Sequence, residues 1–118
     1  MKVAACLLLA AGLLASAERE GDFTIRFEPK AILQTGVPVP FEISVADSRR
    51  KPIIQADVKL YIETADGRNR KSFPAPSTTP GVYLAKPVFP EAGDWTIDVE
   101  VRRNDQFTSR SLQFNVRE

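Results

Sequence analysis

The chain has 118 residues, with 16 Lys and Arg against 15 Asp and Glu, no His, one Cys and one Met. That is the length of one small domain. These counts exclude an internal disulfide, a zinc site built from Cys and His, and general-base catalysis by histidine.

The first element in the chain reads as a targeting segment. Lys2 precedes an apolar run from Val3 to Ala17, and Ala15-Ser16-Ala17 has the small-x-small form of a signal cleavage site. Strongly polar Glu18-Arg19-Glu20 follows at once. The run is shorter than the roughly 18 residues of a spanning helix. Val3-Ala4-Ala5-Cys6 has the letters of a lipoprotein box, but a lipobox follows the hydrophobic region and here the hydrophobic region follows Cys6. The expectation is a signal peptide over 1–17 and one domain over 18–118, exported to the periplasm or the extracellular space. Taking 17 residues from 118 leaves 101, with no Cys, His or Met and balanced charge. No membrane span is expected in that mature chain.

From there the pattern alternates with period two, the period of half-buried strands. Phe23, Ile25 and Phe27 form the first apolar set, and Phe41, Ile43 and Val45 the second. Val58, Leu60 and Ile62 form the third, followed by a short charged stretch from Arg70 to Phe73 that suits a sheet edge. Gly81 to Phe89 is apolar on both parities, so its inward face stays open. Trp95, Ile97, Val99 and Val101 alternate cleanly, as do Leu112, Phe114 and Val116. Phe107 has the opposite parity to Leu112, which implies a late start or a bulge in the last strand.

Turn signals separate these runs. They are Gly36 to Pro40, Asp47 to Pro52, the Asp66-Gly67 pair, Pro74 to Gly81, Pro90 to Asp94, and Arg103 to Gln106. Seven short strands with such spacing predict an all-β, antiparallel sandwich.

The Gly81-Val82-Tyr83 strand, the Gly93-Asp94-Trp95 corner and the alternating strand after it resemble the YtkA-like family. FixH proteins carry a similar pattern. The resemblance covers roughly residues 23–117 and implies a seven-stranded, immunoglobulin-like β-sandwich of an exported or membrane-tethered bacterial module. Tyr83 and Trp95 are implied to fill core. Members of this broad group are often linked with copper handling or oxidase assembly. Copper sites of that kind need soft or imidazole ligands, which the mature chain lacks, so no ligand position carries over.

The chemistry-bearing residues point away from catalysis. Lys71 and Ser72 are adjacent on a strand and so face opposite ways. Asp98 and Glu100 share a face, with Lys59 and Arg102 as expected surface partners, and read as a solvated sheet exterior rather than a glycosidase pair. Asp47, Asp57, Asp66, Asp94 and Asp105 sit at turns without the spacing of a calcium loop.

Three basic clusters remain: Arg49-Arg50-Lys51, Arg68 with Arg70-Lys71, and Arg102-Arg103. They would make one patch if their loops shared an end. Balanced charge argues against nucleic acid. Tyr61 lies on the wet parity of its strand, where an aromatic can anchor a partner.

The reading is a non-enzymatic exported module without cofactor or metal. It is expected to bind another envelope protein, of unknown identity, as an accessory subunit. Tyr61, Arg49, Arg50 and Lys51 are the candidate contact residues. A copper-handling accessory protein and a carbohydrate-binding module are the alternatives.

Overall fold

The structure is a computed structural model and describes residues 19–20 and 22–118. The expected cleavage positions Ala15 and Ala17 lie outside the described residues. Nine strands are present among the described residues: β1 (Arg19–Glu20), β2 (Phe23–Pro29), β3 (Phe41–Asp47), β4 (Asp57–Thr64), β5 (Lys71–Pro74), β6 (Ser77–Thr79), β7 (Val82–Ala85), β8 (Gly93–Arg103) and β9 (Gln106–Val116). No helix among them is long and apolar enough to cross a membrane.

The strands make two sheets. One runs β6-β7-β3-β2 and the other β5-β4-β8-β9, with two-residue β1 added outside β9. In immunoglobulin lettering from β2 as strand A, this is D-E-B-A against C′-C-F-G, so the sandwich has the immunoglobulin-like order. All pairings between the longer strands are antiparallel, and β1 pairs with β9 in parallel.

The alternation chooses the faces. Ile25, Phe27, Phe41, Ile43 and Val45 from one sheet meet Val58, Leu60, Ile62, Trp95, Ile97, Val99 and Val101 from the other, all buried. Phe41 and Phe114 meet edge to face at 5.7 Å, as do Phe89 and Trp95 at 5.5 Å. Full burial of each such side chain contributes about 1.5–3 kcal/mol relative to exposure. No charged or polar residue is buried among the described residues.

Two polar anchors tie loops to this core. The Tyr83 hydroxyl donates to the Ile53 carbonyl at 2.7 Å and accepts the Ala56 N–H at 3.3 Å. It thereby fixes the crossover between the sheets. Trp95 Nε1 donates to the Glu91 carbonyl at 2.9 Å, closing the corner before β8.

Three details differ from the sequence expectation. The strand count is nine rather than seven, because β1 is a brief parallel addition and Ser77–Thr79 pairs with β7 inside what read as a loop. The Gly81–Phe89 run ends as a strand at Ala85; beyond it Phe89 and Val88 bridge singly to Thr35 and Pro38. Its inward parity is Tyr83, Ala85 and Phe89. Strand β9 neither starts late nor bulges. Its register against β8 is unbroken from Gln106 to Val116, and Phe107 faces outward, with the Arg102 guanidinium 4.9 Å from its ring centre.

Candidate functional site

The sequence-predicted contact residues fall on opposite outer faces of the sandwich. Tyr61 is on β4, in the sheet with β8 and β9. Its ring is half-buried, because the Arg70 guanidinium stacks on it at 4.2 Å. Arg70 also pairs with Glu63 at 2.5 Å, Asp98 at 3.4 Å and Glu100 at 3.7 Å.

Asp98 in turn accepts a hydrogen bond from Ser111 at 3.0 Å. Burial works against the charge on Arg70, but the hydrogen bonds to Glu63 and Asp98 outweigh it and hold its pKa above the usual value. Asp98 and Glu100 thus both pair with Arg70, reached from the turn after β4.

The three basic clusters divide between the two ends. β4 starts at Asp57 opposite Arg102 and ends at Thr64 opposite Trp95. Arg102-Arg103 and the 65–70 turn thus lie at opposite ends of that sheet. The 47–52 hairpin leads out of β3, whose last residue pairs with the first of β2. Just upstream, β1 pairs with the start of β9, so the hairpin shares the Arg102-Arg103 end.

Asp47 organises that hairpin. Its Oδ1 accepts the N–H groups of Lys51 at 2.9 Å and Arg49 at 2.8 Å, and its own N–H donates to the Lys51 carbonyl. These backbone bonds, that of Lys51 first, hold the Asp47 carboxyl below the usual carboxylate range. Closing the loop forces Arg50 to φ 66°, the left-handed region where glycine or asparagine is normal.

Beside this hairpin is a groove of about 660 Å³ on the outer face of β2, β3 and β7. Arg26 and Arg50 line it with the hydroxyls of Thr24, Ser44 and Ser48, and Pro52, Pro80 and Val82 supply apolar surface. Neither arginine side chain has an ion pair or hydrogen bond among the described residues. The Asp47 carboxylate also lines the groove, but it is engaged by its own hairpin. Gly81 forms the rim opposite, and a Cβ there would stand 2.5 Å from Pro52 Cβ.

Of the predicted cluster, then, Arg50 enters the groove, while Arg49 and Lys51 do not line it. Arg26 was missed. Its outward parity was readable, but its alignment with Ser44 depends on the β2–β3 register.

The turn aspartates are held locally. Asp66 bonds Thr64 and Arg68, and Asp94 accepts from Asn115 at 2.9 Å. No group of three metal-ligating side chains comes together among the described residues.

The fold and its corner motifs agree with the comparison that decides the family. The YtkA-like profile matches residues 17–100. The chain belongs to the YtkA-like family. This YtkA-like domain is also similar in structure to a DUF4785 family protein of Legionella pneumophila, with a TM-score of 0.58 at 13% identity. The match covers 82% of the YtkA-like chain and 29% of the Legionella chain, and at that identity the likeness is one of fold. None of the curated proteins matches the chain.

Proposed function

We propose that this YtkA-like chain is an exported, non-enzymatic binding module that docks an acidic segment of another envelope protein in the β2–β3–β7 groove. The observation that carries the reading is the pair Arg26 and Arg50, two guanidinium groups without partners among the described residues, at one concave surface. A guanidinium presents a planar fork of donors that matches a carboxylate, and here the flanking Ser and Thr hydroxyls add further donors. Export is supported by the Lys2–Ala17 segment. The binding role is supported by an immunoglobulin-like scaffold whose core carries no charged or polar side chain among the described residues.

The test is mild cross-linking in the native host, followed by capture of the tagged mature protein and mass spectrometry. One stoichiometric envelope partner is expected with wild type and with Arg70→Ala. It should be lost with the double variant Arg26→Glu, Arg50→Glu, and weakened by salt as screening shortens the reach of charge. A protein that stays free in envelope extracts overturns the reading, and so does a partner indifferent to the double variant.

A further inference from the structure

A sheet edge is a row of unpaired backbone groups, and sequences normally blunt it. Three of the four edges in this sandwich are blunted. β5 is four residues long, begins with Lys71 and ends with Pro74. β6 is three residues long, irregular in register against β7, and lies between Pro76 and Pro80. β2 ends in Pro29, and its Ile25 carbonyl accepts a 2.7 Å bond from Arg110 reaching over from β9.

The edge of β9 is different. The strand is 11 residues long, unbulged, without proline, and carries one charge, Arg110. Its backbone direction follows from one short contact. The Arg117 carbonyl accepts the Thr35 N–H at 2.9 Å, and the Arg117 N–H donates to Leu33 at 3.1 Å. In an extended chain alternate residues point their N–H and C=O the same way. Ser109, Ser111, Gln113 and Asn115 therefore aim theirs at the same open side, and all four residues are exposed. None of these backbone groups has a partner across that edge among the described residues.

Both ends of this open stretch are already capped, and both caps run parallel to β9. β1 lies against Gln106 and Phe107, and Gln34 bridges to Arg117. Between them is a window of eight residues, 108–115, about 27 Å long. We propose that this window is a docking site for a single extended segment of a partner protein, which adds to the sheet parallel to β9, in line with the two caps.

The caps select that occupant. A second copy aligning its own 11-residue β9 along the edge would run into β1 at one end and residues 33–35 at the other. A lone segment of seven or eight residues fits between. Its side chains alternate in the sense the sheet demands: apolar where they meet half-buried Leu112 and Phe114, polar and uncharged beside Ser109, Ser111 and Gln113. This site is separate from the groove, since none of 108–115 lines it. Either surface can fail without the other.

The test uses a panel of capped, fluorescein-labelled eight-residue peptides that alternate Val, Ile or Phe with Ser or Thr. Fluorescence anisotropy should find saturable binding in the panel. Hydrogen exchange on wild type should show the amides of Ser109, Ser111, Gln113 and Asn115 slowing on binding. Ser111→Pro and Gln113→Pro each delete an N–H that faces solvent, which an edge strand tolerates, and leave the backbone bonds to β8 in place. Each should weaken binding by about tenfold, while Arg26→Ala and Arg50→Ala leave it unchanged.

The proposal is overturned if no peptide in the panel binds. It is equally overturned if binding survives both proline variants in folded protein, or if the protected amides lie elsewhere. A dimer that either proline variant dissolves would mean that the edge serves a second copy instead.

Discussion

The two outer faces of this sandwich treat their arginines in opposite ways. On the β4–β8 face, Arg70 is shared among Glu63, Asp98, Glu100 and the ring of Tyr61. On the β2–β3–β7 face, Arg26 and Arg50 flank a groove without a partner among the described residues. A charge satisfied within its own sheet is part of the sheet's exterior; a charge left without a partner is free to meet one from another molecule. In sequence, Tyr61 and the 49–51 cluster looked like equals. The structure separates them by what already covers each.

The largest expected effect tests the support common to both faces. Trp95 is fully buried against Phe89 and tied to Glu91. Trp95→Ala should cost about 3–5 kcal/mol, read by urea unfolding at neutral pH. A loss under about 1 kcal/mol would mean the site collapses around the gap. The faces would then rest on a softer core than the packing implies.

Gly81→Ala should come next and act on the groove face. The glycine has φ 78°, and a Cβ there would collide with Pro52. The expected loss is about 1–3 kcal/mol, from backbone strain and forced separation of the two loops. The same variant should leave the exchange of amides on the β4–β8 face unchanged. A uniform acceleration across both sheets would show that the rim is no local feature.

The strands that pack the core were legible because burial on one face imposes period two, and five of them were placed by that period before any register was known. What stayed hidden depended on register or on chain crossings. Arg26 meets the hairpin through the pairing of Ile25 with Val45 and its neighbours. Arg70 covers Tyr61 because the 64–71 turn folds back over its own sheet. Phe107 looked like a parity error, yet an outward aromatic with a guanidinium over it needs no bulge. The open edge of β9 was also hidden, since a strand's sequence does not reveal which side its second neighbour leaves vacant.

Arg50→Gly gives a smaller effect of unusual sign. The left-handed backbone at this position costs a side-chain-bearing residue about 1 kcal/mol or somewhat more, so glycine should stabilise the protein by about 0.5–1 kcal/mol. If the groove takes an acidic segment, the same substitution should weaken capture of the partner. Arg70→Ala sharpens the contrast from the other face. It should cost under about 1 kcal/mol, because its ion pairs are partly exposed, and leave capture intact. If Arg70→Ala abolished capture and Arg50→Gly did not, the roles of the two faces would be exchanged.

The smallest effect concerns Asp47, the one carboxylate in the groove lining. An acidic ligand would be repelled by it if its charge were free, so the groove reading requires that its own hairpin satisfy it. The bonds from Lys51 and Arg49 lower its folded pKa below the unfolded value. A depressed carboxylate stabilises the fold fully above its unfolded pKa, near 4, and that contribution fades as pH falls through the lowered folded value. Urea midpoints measured from pH 6 to pH 2 should therefore decline in wild type through this window, and less steeply in Asp47→Ala. Identical slopes would mean that Asp47 is no better satisfied folded than unfolded. Its charge would then oppose an anion at Arg26 and Arg50, and the groove would favour a neutral partner over an acidic one.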